Sequence, residues 1–222
     1  QQMIDIAKKW LSYHLRYAMN NYLPSPVPLS IPEVELLFDT KDVCEVLGQA
    51  SVSKYCAFDY ETNCFEPEKE KARVLTASVA FGDGDGLYRS AAFPLTSEVI
   101  KLHWVDFLRS STKKIVANVK FEERWSLVYF GQPICNFYWD VCVGGRVRDC
   151  YSGTAGLKYL AFMEFGVAGY DDEVESYIKD DGTGYNNLMR MDVSKLLRYN
   201  CLDSIYTYEL ARRQHQHFRI SF

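Results

Sequence analysis

Carboxylates recur in three short segments of this chain: FDYETN at Phe58–Asn63, NVKFEERW at Asn118–Trp125 and YNCLDSIYTYEL at Tyr199–Leu210. Asp59 and Glu61 lie two residues apart in an apolar run that reads as a strand, so their side chains share one face. Two acids side by side repel unless a cation sits between them. Asn118 and Glu122 lie four apart. If Asn118 opens a helix it can cap it, and Glu122 then projects one turn along the same face. Tyr199 and Asp203 are also four apart, on a predicted helix whose opposite side carries Leu196, Leu197, Leu202 and Ile205. Both can point into one cleft. Taken singly, each segment has an ordinary explanation: a surface acidic pair, a capped helix with a solvated Glu, or a core-edge Tyr bonded to a nearby Asp. Taken together they offer only hard oxygen ligands, which suit Mg²⁺ or Mn²⁺ and disfavour a closed zinc site. Two such ions about 4 Å apart can clamp the attacking and departing oxygens of a phosphodiester. Tyr199 would orient the attacking water first and accept its proton second, because a neutral phenol is a poor base at pH 7.

Elements must position these groups. Ile4 to Tyr22 carries apolar residues at helical spacing, and LPSPVPLSIP then breaks the helix. We expect residues 1–32 to be an N-terminal helix and Pro-rich linker, and residues 33–222 to form one domain. In that domain the pattern predicts strands at LLF, Tyr55–Tyr60, Val74–Phe81, Gly86–Phe93, Lys114–Ala117 and Cys135–Trp139. Helices are expected at Thr40–Leu47, Thr96–Leu108, Phe121–Phe130, Asp140–Arg146, Ala155–Phe165, Asp171–Ile178 and Val193–His215. The GDGDG segment reads as a hairpin turn, since the run of ligands and the final Glu of a calcium loop are missing. Strands first, then alternation, then helices, imply a mixed α/β sheet with helices packed around it.

The bulk composition agrees. With 222 residues, 48% of them hydrophobic, the chain can bury a sizeable core. No apolar run approaches the roughly 20 residues that span a bilayer, and no secretory leader is visible. The chain opens Gln-Gln, which suggests a piece of a longer protein. Seven cysteines, none in a CxxC pair, read as reduced core thiols in a cytoplasmic compartment. His215 and His217 read as solvated tail residues. A net charge of −4 argues against a general nucleic-acid-coating protein but not against a nuclease, whose metals reverse the local sign. The basic clusters, including Lys113 and Lys114, read as solvated faces.

These segments resemble the motifs of the DEDD superfamily of 3′→5′ exonucleases, tyrosine subtype, and most of all the proofreading domains of family A (polymerase I-like, phage included) DNA polymerases. FDYET is similar to the first motif, NVKFE to the second and YNCLD to the third. YWDV around Asp140 and GLKYLAFMEFG resemble intervening stretches, and the likeness covers roughly Lys54–Arg212. The resemblance implies a ribonuclease H-like fold with a central mixed sheet and two divalent ions, Mg²⁺ or Mn²⁺. It implies that Asp59 bridges both ions, that Glu61 and Asp203 hold the nucleophile-side ion, that Glu122 holds the other, and that Tyr199 positions water. Glu122 stands where the family usually has Asp, and one extra methylene matters on the scale of catalytic geometry; we take it as the mark of a sub-lineage. Thr62 and Phe65 are expected to wedge the terminal nucleotide. Asn118 would touch it or cap its helix, and Lys120 and Arg124 would contact phosphates. The implied substrate is the single-stranded or frayed 3′ end of DNA, with a polymerase domain in the same longer chain as partner, in the cytoplasm or, if viral, the host cytoplasm. A free-standing RNA-trimming exonuclease and a catalytically weak nucleic-acid-binding domain are the alternatives; a binding module would gain nothing from a repulsive acidic cluster.

Overall fold

The computed structural model describes residues 7–12, 29, 33–149, 155–180, 182–220 and 222. Residues 7–12 are helical (α1). The other elements follow as β1 (Glu35–Leu36), α2 (Thr40–Val52), β2 (Tyr55–Thr62), β3 (Val74–Gly82), β4 (Leu87–Pro94), α3 (Glu98–Arg109), β5 (Lys113–Val116), α4 (Val119–Phe130), β6 (Phe137–Asp140), α5 (Val141–Asp149), α6 (Leu157–Phe165), α7 (Asp172–Ile178), a 3₁₀ turn (Leu188–Arg190) and α8 (Val193–Phe218). The strands form one six-stranded sheet in the order β1-β4-β3-β2-β5-β6. β3 runs antiparallel to both β2 and β4, while the β1–β4, β2–β5 and β5–β6 pairs are parallel. The expected mixed sheet is therefore present.

β2 lies inside the sheet and is covered on both faces, which explains its nearly unbroken apolar run. Cys56, Phe58 and Tyr60 enter a core with Val43 and Leu47 of α2, Trp104 and Phe107 of α3, and Trp125 of α4. Tyr55 and Ala57 enter the other core, with Leu160 of α6 and Leu197, Cys201 and Ile205 of α8. The two-residue period of a strand continues that second face to Asp59 and Glu61 and so turns both acids toward α8. α8 is 26 residues long and capped by Asp192, whose side chain accepts from Lys195 N at 3.0 Å. It crosses the whole sheet and carries Tyr199 and Asp203 in its buried middle. Gly144 and Gly145 of α5 allow close approach to Gln214 of α8 and Leu160 of α6, where a Cβ would meet atoms at 2.4 and 2.7 Å.

Several expected boundaries move. α2 continues five residues beyond Leu47 to Val52. β6 starts at Phe137 rather than Cys135, because Asn136 is left-handed (φ 53°) and Cys135 N bonds to Leu108 O. GDGDG forms the β3–β4 hairpin, with Gly84 at φ 104° and Asp83 accepting from Asp85 N at 3.0 Å. Of the expected N-terminal helix, only 7–12 fall among the described residues, and of the Pro-rich linker only Leu29. Trp10 stacks on Phe162 of α6, with centroids 4.2 Å apart, so this helix packs on the domain. The six cysteines among the described residues are free thiols.

Two polar residues expected in solvent are buried. His215 packs against Tyr138, Trp139 and Phe222 and is 1% exposed. Its Nδ1 lies 2.8 Å from Ala211 O, and burial lowers its pKa. Lys114 is fully buried and donates to Ser110 O, Ser110 Oγ and Thr112 O at 2.9–3.1 Å. Burial lowers its pKa from 10.5 to about 8. The folded chain thus releases this proton before the unfolded chain does. Folding is penalised below about pH 8, and the penalty fades as pH rises from 8 toward 10.5. The stability of the wild type relative to Lys114→Met is accordingly expected to rise across that window by on the order of 3 kcal/mol. Urea denaturation at both ends of the window checks this, and parallel pH profiles would refute it.

Candidate active site

The cleft exists because β2 outruns its neighbour. β2–β5 pairing ends at Ala57↔Ile115, and the chain leaves β5 after Val116 to start α4 at Val119. Beyond Ala57, β2 has β3 on one side and no paired strand on the other, the kind of crevice in which α/β sheets hold ligands. A register shift between Glu61 and Thr62 bends the strand where it lines this opening. The resulting cleft of about 290 Å³ is lined by Asp59, Glu61, Glu122, Tyr199 and Asp203, among others.

Asp59, Glu61 and Asp203 each present a carboxylate oxygen within 4.8 Å of the other two. Burial raises the pKa of all three; for Asp59 the neighbouring Asp203 adds to the rise, and for Glu61 first Asp59 and then Asp203. Asp203 reaches about 6, held there against burial by hydrogen bonds from Tyr170 and Tyr199 and by the charge of Lys158. The Tyr170 hydroxyl donates to Asp203 Oδ1 at 2.5 Å, and Asn200 Nδ2 donates to Asp59 Oδ2 at 2.8 Å. Thr76 Oγ1 in turn donates to Asn200 Oδ1 at 3.0 Å, which fixes the amide's orientation. Tyr199 is buried among these acids, and burial followed by the charges of Asp203 and Glu61 drives its pKa far up, so the phenol keeps its proton.

Glu122 stands outside the three-acid group but lines the same cleft from α4. It is 1% exposed, and among the described residues its Oε2 has no hydrogen-bond partner. Burial and then Asp59 and Glu61 push its pKa well above the usual carboxylate range. Its neighbour Glu123 turns the other way, accepting from Ile134 N at 2.9 Å. Trp125 and Phe121 anchor α4 as expected.

Asn118 does not cap α4 with its side chain. It is left-handed (φ 73°), and its side chain makes no capping bond. Asp140 takes that role from β6: its carboxylate accepts from Asn118 N at 3.2 Å and Val119 N at 2.8 Å. It also accepts from Cys142 N at 2.8 Å and Val143 N at 3.2 Å, so one side chain caps both α4 and α5. Asn118 still lines the cleft, as do Thr62 and Phe65. Thr62 is buried, its hydroxyl donating to Cys64 O at 2.7 Å, whereas Phe65 is 71% exposed at the rim. Lys120 and Arg124 are not among the lining residues. Lys120 is exposed, and Arg124 is held by Glu68 through bonds of 2.8 and 2.6 Å. Asn200, Tyr170, Asp140 and Lys158 had no assigned role in the motifs. Asn200 and Lys158 sit inside quoted segments, but Tyr170 is 33 residues from Asp203 and carries no local signal.

The 3′→5′ exonuclease family model matches residues 33–214. The chain belongs to this family. No curated protein matches it in sequence. Among solved structures, the catalytic core of RRP6 from Trypanosoma brucei superposes with a TM-score of 0.66 at 12% identity, over 89% of this chain and 50% of that one. Escherichia coli RNase D, an exoribonuclease involved in structured RNA processing, gives 0.60 at 12% identity, over 85% and 46%. The POL domain of Pol1 from M. smegmatis, in complex with DNA primer-template and dNTP, gives 0.56 at 10% identity, over 83% of this exonuclease and 27% of that chain. The exonuclease thus spans half or less of these three relatives, and at such identities the likeness concerns the fold, which is ribonuclease H-like. Exonucleases of this family are metal-dependent nucleases that use two divalent ions. The donor set fits that requirement: hard carboxylate oxygens, three of them converging, and one buried Oε2 on Glu122 with no partner among the described residues. Among the described residues, no helix is long and apolar enough to cross a membrane.

Proposed function

We propose that residues 33–222 form a proofreading exonuclease domain, preceded by an N-terminal arm, that removes nucleoside monophosphates from single-stranded or frayed DNA 3′ ends. In this reading a polymerase region belongs to the same longer protein, and the free thiols suit a reducing, cytoplasmic compartment. The observation that carries the reading is the convergence of Asp59, Glu61 and Asp203 within 4.8 Å beside Tyr199, in a chain matched by the exonuclease model of A-type DNA polymerases.

Asp59, Glu61 and Asp203 would hold one ion between them, with Asp59 and Glu122 toward the second. Bound there, the ions supply positive charge to the attacking and leaving oxygens of the phosphodiester. The chain's own residues do the rest. Tyr199 offers a protonated hydroxyl that orients the attacking water, and its raised pKa makes it a poor proton acceptor. Asn200 and Tyr170 keep Asp59 and Asp203 in fixed rotamers. Thr62, Phe65 and Asn118 line the space for the terminal nucleotide. Phe65 gives any base a face to stack on.

Digestion of matched 3′-labelled DNA and RNA single strands, with Mg²⁺ or Mn²⁺ and with EDTA, tests the reading. The expected result is metal-dependent release of mononucleotides from DNA, stopped by EDTA. Faster digestion of RNA would replace proofreading with RNA trimming, and no digestion of either would leave only binding. Tyr199→Phe is expected to lower kcat by about 10²–10³-fold with metal binding kept. Loss of Mn²⁺ binding in that variant would instead give Tyr199 a purely structural role.

A further inference from the structure

One charged cleft residue is left without a task. Lys158, in the first turn of α6, is the only cationic side chain lining the cleft among the described residues. Its Nζ lies 2.8 Å from Asp171 Oδ2 and 5.2 Å from the centroid of the Tyr199 ring, and its side chain is 41% exposed. Asp171 directly follows Tyr170, whose hydroxyl holds Asp203. One dipeptide thus fixes both an acid of the cluster and the ammonium that faces it. An exposed ion pair contributes little to stability wherever it stands, so stability gives no reason for this lysine to sit over Tyr199.

Chemistry does give one. The cleft offers carboxylates to a reacting group that is itself anionic. When the oxygen of water bonds to phosphorus and gives up a proton to solvent, and the 3′ oxygen leaves with the electron pair of its bond to phosphorus and takes up a proton from solvent, the non-bridging oxygens must be stabilised throughout. We propose that Lys158 is a further catalytic residue, its ammonium donating to a non-bridging oxygen of the scissile phosphate on the Tyr199 side of the cleft. Asp171 parks the ammonium at that edge, and the four-carbon stem lets it swing to the phosphate when the substrate enters. The proposal rests on the nuclease reading above and adds a contact that the three carboxylate segments do not contain.

The test compares Lys158→Met and Lys158→Arg with the wild type on a 3′-labelled single strand at saturating Mg²⁺, alongside Mn²⁺ titration followed by electron paramagnetic resonance. Lys158→Met is expected to lower kcat by about 10²-fold, with less change in KM and with Mn²⁺ affinity and melting temperature kept. Lys158→Arg, which keeps the charge, is expected to retain more of kcat than Lys158→Met. Wild-type kcat in Lys158→Met, equal losses in the two variants, or a loss that follows weakened Mn²⁺ binding would overturn the proposal. A wild type that digests no 3′ end with either metal would overturn the nuclease reading and this proposal with it.

Discussion

Asp59→Asn is expected to lower kcat by at least about 10³-fold while leaving the fold intact. Asp59 is the acid that Glu61 and Glu122 feel most: it is the first charge acting on both, after burial itself. It stands on the central strand between Glu61 and α8, where Asp203 and Asn200 meet it. Asn has the same shape and leaves the packing of β2 alone, but it removes the charge that would be shared between two cations. Without metal, that removal relieves repulsion among buried acids, so the melting temperature of the variant should equal or exceed that of the wild type. Mg²⁺ should then raise the melting temperature of the wild type, because a ligand that binds only the folded state stabilises it, and should raise that of the variant much less. Exonuclease assays paired with thermal melts, with and without Mg²⁺, read both effects. A variant that digests 3′ ends at the wild-type rate would sink the assignment of Asp59 to the metals.

Asp140→Ala is the second large effect, and it falls on stability first. The Asp140 carboxylate accepts four backbone N–H bonds at the starts of α4 and α5, and it is 6% exposed. Losing a side-chain cap costs about 0.5–2 kcal/mol per helix, and hydrogen bonds to a charged acceptor lie at the upper end. A loss of about 2–4 kcal/mol is expected in urea denaturation. Activity should fall as well, since α4 carries Glu122 into the cleft and its first turn would lose its tether. Asp140→Asn keeps part of the acceptor set and should lie between the two. A change under about 0.5 kcal/mol in Asp140→Ala, the range of ordinary surface substitutions, would show that water replaces the cap without cost.

The legible part of this chain is the part written in local pattern. The apolar run YCAFDY, the glycines of GDGDG and the helical stripe through Leu197, Leu202 and Ile205 mark their elements locally, and the structure places those elements within a few residues of expectation; Leu196 instead packs on the cleft side with Tyr199. Errors cluster where long-range packing overrides pattern. His215 is buried by the rings of Tyr138 and Trp139, which lie far from it in sequence, whereas Lys114 is held by carbonyls only two and four residues away whose inward turn no local pattern signals. Asn118 fits a capping pattern but yields it to Asp140, 22 residues away, because the chain turns left-handed as it leaves β5. Arg124 has the charge for a phosphate contact but faces Glu68, 56 residues away.

The same division runs through the site. By itself the sequence determined which groups could act: Asp59 and Glu61 on one strand face, Tyr199 and Asp203 one helical turn apart, and Glu122, picked out by its spacing from Asn118 and its place in the second motif. Strand and helix periods are local, so residues two or four apart reveal their shared direction. Only the tertiary structure decided which groups meet. It turned Glu122 into the cleft and Glu123 toward Ile134, brought Asp203 within 4.8 Å of Asp59 and Glu61, and placed Asn200, Tyr170 and Lys158 around them. The reason is that α8 packs across β2 from more than a hundred residues away, and the cleft opens where β5 ends, two facts set by the order of strands in the sheet rather than by any one segment.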